Sequence, residues 1–112
     1  MHALQEIVFP LLEANHVYPH ILLQIEKIEA LVDDEDAVKK NQKIEQFFTM
    51  YLMWYRDQHA RKMGVQNLFF PEAREVTKSL PSLEKVLHAV DDMVLALQRN
   101  IKFSACLERL FL

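Results

Sequence analysis

Apolar residues recur every three or four positions along nearly the whole chain. That is the period of an α-helix buried on one side. Residues 2–14 carry the first such pattern, disturbed by Pro10, which removes a helical hydrogen bond. Asn15 and His16 then break the chain. Residues 18–32 predict a second helix, with Pro19 in its first turn, where a missing N–H is harmless. Ile21, Ile25, Ile28 and Val32 share its inner face; Gln24, Glu26, Lys27 and Glu29 look outward. The acidic run from Asp33 to Asp36 ends this helix and starts the next, since carboxylates suit a helix N-terminus.

Residues 36–62 read as one long helix, about 40 Å at 1.5 Å per residue. It begins polar and turns apolar at Ile44, with Phe47, Phe48, Tyr51, Leu52 and Tyr55 on a broad face. Met50, Met53 and Trp54 widen that face almost around the helix, which marks a central element or one lying against a partner. Gly64, the only glycine, fits a left-handed helix stop. Residues 65–71 form an apolar connector held out of helix by Pro71. A short helix is expected at 72–79, stopping near Pro81. Ser79 or Ser82 can cap the next, at 82–99, whose stripe reads Leu83, Leu87, Val90, Val94, Leu97 and Ile101, with Val86 and Met93 alongside. Asn100 breaks it by taking the left-handed conformation. A last helix, 103–111, has Phe103, Cys106, Leu107, Leu110 and Phe111 on its apolar side. The expected fold is all-α, a single domain folded as a compact bundle of five to six helices.

Composition narrows the chemistry. The chain has 112 residues and a formal net charge of −3, which gives no footprint for direct phosphate or nucleic-acid binding. Residues 1–56 carry 5 basic and 9 acidic side chains and residues 57–112 carry 8 and 7, too small a shift to make a basic arm. One cysteine excludes an intrachain disulfide and suits a reducing, cytoplasmic setting. No signal peptide or membrane span is expected. With a single glycine, neither nucleotide-binding glycine loop can be built.

No catalytic group, cofactor or small-molecule ligand is expected. His16 and His20 are four apart, but Pro19 lies between them, and His2, His59 and His88 are distant, so a metal centre is not expected. Cys106 reads as a buried thiol, and the adjacent Asp91 and Asp92 diverge onto a solvated face. Arg61 and Lys62 suit the negative end of a helix dipole, whereas Arg56 lies two turns from that end. Trp54-Tyr55-Arg56-Asp57 gathers residue types enriched at interface hot spots; core packing of at least one aromatic is the alternative.

These residues carry a resemblance. Leu52-Met53-Trp54-Tyr55-Arg56-Asp57 is followed by Lys62-Met63-Gly64 and then by Asn67-Leu68-Phe69-Phe70-Pro71. Leu97-Gln98-Arg99-Asn100-Ile101-Lys102 comes next, and Leu107-Glu108-Arg109-Leu110-Phe111-Leu112 closes the series. In this order and spacing they resemble the C-terminal helical collar domain of the delta-prime subunit of the bacterial DNA polymerase III clamp loader. Lys102 stands where that family often has a second Asn. Residues 18–51 resemble it by pattern alone, and residues 1–17 weakly. The tau/gamma subunits of that complex have related collar domains.

The resemblance implies an oligomerisation domain that joins loader subunits in a ring for sliding-clamp loading in DNA replication. It implies partners among the delta and tau/gamma subunits, with nucleic acid met only through the complex. The two nucleotide-binding-type modules that precede the collar in that family have no counterpart here, so a collar domain by itself is expected. The expected partner-facing residues are Trp54, Arg56, Asp57, Met93, Phe103 and Phe111. Met93, Phe103, Phe111 and Leu112 are read as lying off the main stripes, with completion of the domain's own core as the equal alternative for them. A free-standing helical adaptor or chaperone-type interaction domain is the alternative with the same composition. On either reading, titration of ATP into the purified chain should give neither binding at micromolar affinity nor hydrolysis; measurable binding would refute the expectation.

Overall fold

The computed structural model describes residues 2–14 and 20–112. Five helices and no strand occur among them: α1 His2–Glu13, α2 Ile21–Val32, α3 Ala37–Lys62, α4 Leu83–Gln98 and α5 Phe103–Phe111. The expected break at Asn15 and His16 and the placement of Pro19 lie outside the described residues. Pro10 does lie inside α1. The molecule measures 42 × 26 × 24 Å, and its long axis is close to the span of α3, about 39 Å at 1.5 Å per residue.

Local chemistry sets most of the boundaries. His20 is left-handed, with φ 58°, immediately before α2. The acidic run starts α3 as expected: the Asp36 carboxylate accepts from the Val38 N–H at 2.9 Å and Asp34 accepts from the Asp36 N–H at 2.9 Å. That backbone N–H, with Lys43 at 3.2 Å, holds the Asp34 carboxyl below its ordinary range. Ser82 caps α4, accepting from the Lys85 N–H at 3.3 Å.

Both helix stops read from sequence are present and share one geometry. Gly64 has φ 78° and Asn100 φ 64°. In each turn one N–H reaches back five residues, Val65 to Ala60 at 2.9 Å and Ile101 to Ala96 at 3.1 Å. A second reaches back three, Gly64 to Arg61 at 3.0 Å and Asn100 to Leu97 at 3.1 Å. This double return satisfies carbonyls that the helix leaves open.

Helix α1 packs on α2, α2 on α5, and α4 on both α3 and α5. Phe47 and Trp54 of α3 are fully buried, and with them Leu4 and Val8 of α1, Ile28 and Val32 of α2, and Leu107 of α5. Phe103 packs edge-on to Phe47 at 5.5 Å and Phe111 edge-on to Tyr51 at 6.3 Å. Burial pushes the Tyr51 and Tyr55 hydroxyls and the Cys106 thiol above their ordinary pKa.

Two expectations need correction. Residues 72–79 are not helical; one turn, Ala73 N–H to Phe70 O at 3.0 Å, is all that forms. Side chains of α3 capture the backbone groups a helix there would use. On α4 the buried face is Val86, Val90, Met93 and Ala96, with Leu83, Ala89 and Leu97 at its margins. Leu87 and Val94, read as stripe residues, are 49% and 38% exposed. Accordingly Met93→Ala should destabilise the chain by about 2–5 kcal/mol and Leu87→Ala by about 1 kcal/mol or less, measured by chemical denaturation.

Candidate functional site

The last turns of α3 carry a row of polar side chains aimed at the connector that follows. Asp57 is 1% and Gln58 0% exposed, unusual for residues of these types. The Asp57 carboxylate accepts from the N–H groups of Phe69 at 3.0 Å and Phe70 at 2.7 Å. Gln58 donates to the Arg74 carbonyl at 2.7 Å and accepts from the Val76 N–H at 3.0 Å. Arg61 donates to the carbonyls of Phe70 and Pro71 at 3.1 and 3.2 Å, and Lys62 to that of Lys78 at 3.2 Å. His59 Nε2 lies 2.8 Å from the Pro81 carbonyl, which can only accept, so the ring donates.

Arg56 completes this clamp. Its guanidinium lies 3.2 Å from Asp57 Oδ1, donates to the Asn67 carbonyl at 2.7 Å, and sits 5.0 Å from the centre of the Phe69 ring. The buried carboxylate thus has a cation and two backbone N–H groups, the company an interior charge requires. From the far end of the connector, Lys78 Nζ donates to the carbonyls of Leu12 and Ala14 at 2.6 and 2.5 Å. Desolvation there pulls the Lys78 ammonium below its ordinary pKa.

Of the expected site residues, Arg56 and Asp57 lie at the clamp, and Trp54 lies in the core. Trp54 is 0% exposed, edge-on to Tyr55 at 5.0 Å. Met93 and Phe103, at 4% and 6% exposure, belong to the core, and Phe111 is half-buried against Tyr51. The placement of Trp54, Asp57, Met93 and Phe103 toward a partner is corrected on that ground, because side chains this buried have no surface left to cover. Leu112 remains outside, at 65% exposure. Gln58, His59 and Lys78 were missed. The one signal for the first two is an unbroken polar run, Arg56-Asp57-Gln58-His59, directly after the mostly apolar stretch from Phe47 to Tyr55.

Elsewhere, Cys106 is buried, and Asp91 and Asp92 are exposed, as expected. Among the described residues no group of three His, Cys, Asp or Glu side chains could hold a metal ion, and no helix is long and apolar enough to cross a membrane. Two open grooves flank the N-terminal half of α3. One, of about 540 Å³, is lined by Gln5, Gln42, Gln46 and Thr49 over Met50 and Met53. The other, of about 530 Å³, runs between α3 and α4 over Ile44, Phe48, Val94, Leu97 and Ile101.

No protein-family model, curated protein or solved structure matches the chain. The clamp's side chains bond backbone groups from Asn67 to Lys78, and by those bonds they fix the connector. Asp57→Ala should cost about 3 kcal/mol or more and expose the Phe69 and Phe70 amides to hydrogen exchange, with Asp57→Asn milder because one acceptor oxygen survives. Unchanged stability and protection would remove Asp57 from that role.

Proposed function

We propose that the chain is a collar-type oligomerisation domain of a clamp-loader subunit, of the delta-prime kind. It would hold loader subunits together in a ring for sliding-clamp loading in DNA replication, with delta and tau/gamma subunits as partners. One observation carries this reading. The segments behind the resemblance each have a defined task in a single fold. Trp54 fills the centre of the core, and Arg56 and Asp57 hold the connector at Asn67 to Phe70. Gly64 and Asn100 turn the chain at positive φ, and Leu107 closes the core at 0% exposure. A pattern whose members run from Trp54 to Leu107 and each serve the same fold describes an architecture. The collar role then follows by analogy of fold.

The role asks for no catalytic group or cofactor in this chain, and a cytoplasmic setting goes with it. The test is reconstitution with the delta and tau/gamma subunits of the chain's own source. Co-elution as one complex on size-exclusion chromatography at tens of micromolar is expected. Separate elution would overturn the collar proposal and leave the free-standing adaptor.

A further inference from the structure

The face that α4 turns inward leaves an apolar row outside. Leu87, Val94 and Ile101 are 49%, 38% and 45% exposed, and Leu95, next to Val94, is 50% exposed. The three are seven positions apart: Leu87 and Val94 lie two helical turns, about 10 Å, apart on α4, and Ile101 follows just past its end. The Asn100 turn does not scatter the row. The Ile101 N–H bond to Ala96 folds Ile101 back, and Val94 and Ile101 line the same groove over Ile44, Phe48 and Leu97.

Charge along this row is ordered. Glu84, Asp91 and Asp92 lie before Val94, with Lys85 the one Lys or Arg among them; Arg99 and Lys102 lie after it. Glu84 has only the exposed His88 as partner, at 4.0 Å. Asp91, Asp92, Arg99 and Lys102 form no ion pair among the described residues. Reversing the row end for end about Val94 sets Leu87 opposite Ile101, leaves Val94 opposite itself, and lays the acidic stretch against the basic end. A surface complementary to its own reverse is what a two-fold contact between identical chains requires.

We propose that this face is a homodimer contact. Two copies of the chain pair their α4 helices antiparallel about Val94. The contact covers Leu87, Val94, Leu95 and Ile101 and sets Glu84 and Asp92 of one copy near Lys102 and Arg99 of the other. Four apolar side chains per copy make a small interface, so the association is weak, with a Kd of roughly 100 µM. The contact uses nothing from the resemblance, so it stands or falls apart from the collar proposal: that one is tested with other subunits, this one with the chain alone.

Sedimentation equilibrium of the 112-residue chain decides it, over about 10–500 µM, where a contact of this size associates. The average mass should rise from that of the monomer toward twice that value. Leu87→Glu with Val94→Glu should weaken the dimer by about tenfold or more, with the helical circular dichroism unchanged because neither side chain is in the core. Arg99→Glu should weaken it too, and adding Asp92→Arg should restore it. A chain monomeric throughout overturns the proposal. So does a dimer indifferent to Leu87→Glu with Val94→Glu, which would assign the contact to another face such as Leu22 and Leu23 of α2. An Arg99→Glu, Asp92→Arg chain as weak as the single variant overturns the antiparallel register.

Discussion

A connector of some twenty residues without a helix must find partners for its backbone polar groups, and the end of α3 supplies them. Asp57 and Gln58, both buried, take three N–H groups and give one donor back. Charge-assisted bonds of this kind contribute about 1.5–3 kcal/mol each, and neutral ones about 0.5–1.5, against a domain stability of about 5–15 kcal/mol. Much follows from this one fixation. It buries Ala73 and Val76 and sets Phe70 edge-on to Phe9 of α1 at 5.1 Å. It also delivers the chain to Ser82, where α4 begins.

Features set by neighbours in sequence were legible. Asp36 and Ser82 cap their helices, and Gly64 and Asn100 stop theirs, because caps and left-handed turns depend on a few adjacent residues. Features set across the fold were not. On α4 a row through Leu87 and Val94 and a row through Val86 and Met93 have the same spacing and differ by one residue of rotation. Only packing against α3 and α5 selects the second. The helix expected at 72–79 fails for a similar reason, since Gln58 takes the Val76 N–H from 18 positions away. Asp57 was expected to face a partner; it is buried instead, and the backbone N–H groups that permit a buried carboxylate lie twelve and thirteen residues on.

The residues that make the sequence distinctive are therefore those that make the fold possible. Trp54, Asp57 and Phe103 act through burial, so substitutions there disturb folding before they touch any partner. Recognition is left to side chains that the core does not need: the outer half of α4, the groove beside it, and the glutamine-lined groove between α1 and α3. The fold constrains these surfaces loosely, which is how one architecture can serve different assemblies.

The bond from Lys78 to the end of α1 has a kinetic side. Helix α1 is 12 residues long with a proline inside and no basic residue in its last turn, so by itself it is a marginal helix. Its last carbonyls are met by an ammonium group 66 and 64 positions further along the chain. That loop closes only once α3 and its connector are in place, since Lys62 and Gln58 position the strand of chain that carries Lys78. The end of α1 is thus held by a contact that forms only after the connector is in place. On a ribosome α1 would emerge before the segment that holds its end, and that end would wait for Lys78 to be made before it is tied down.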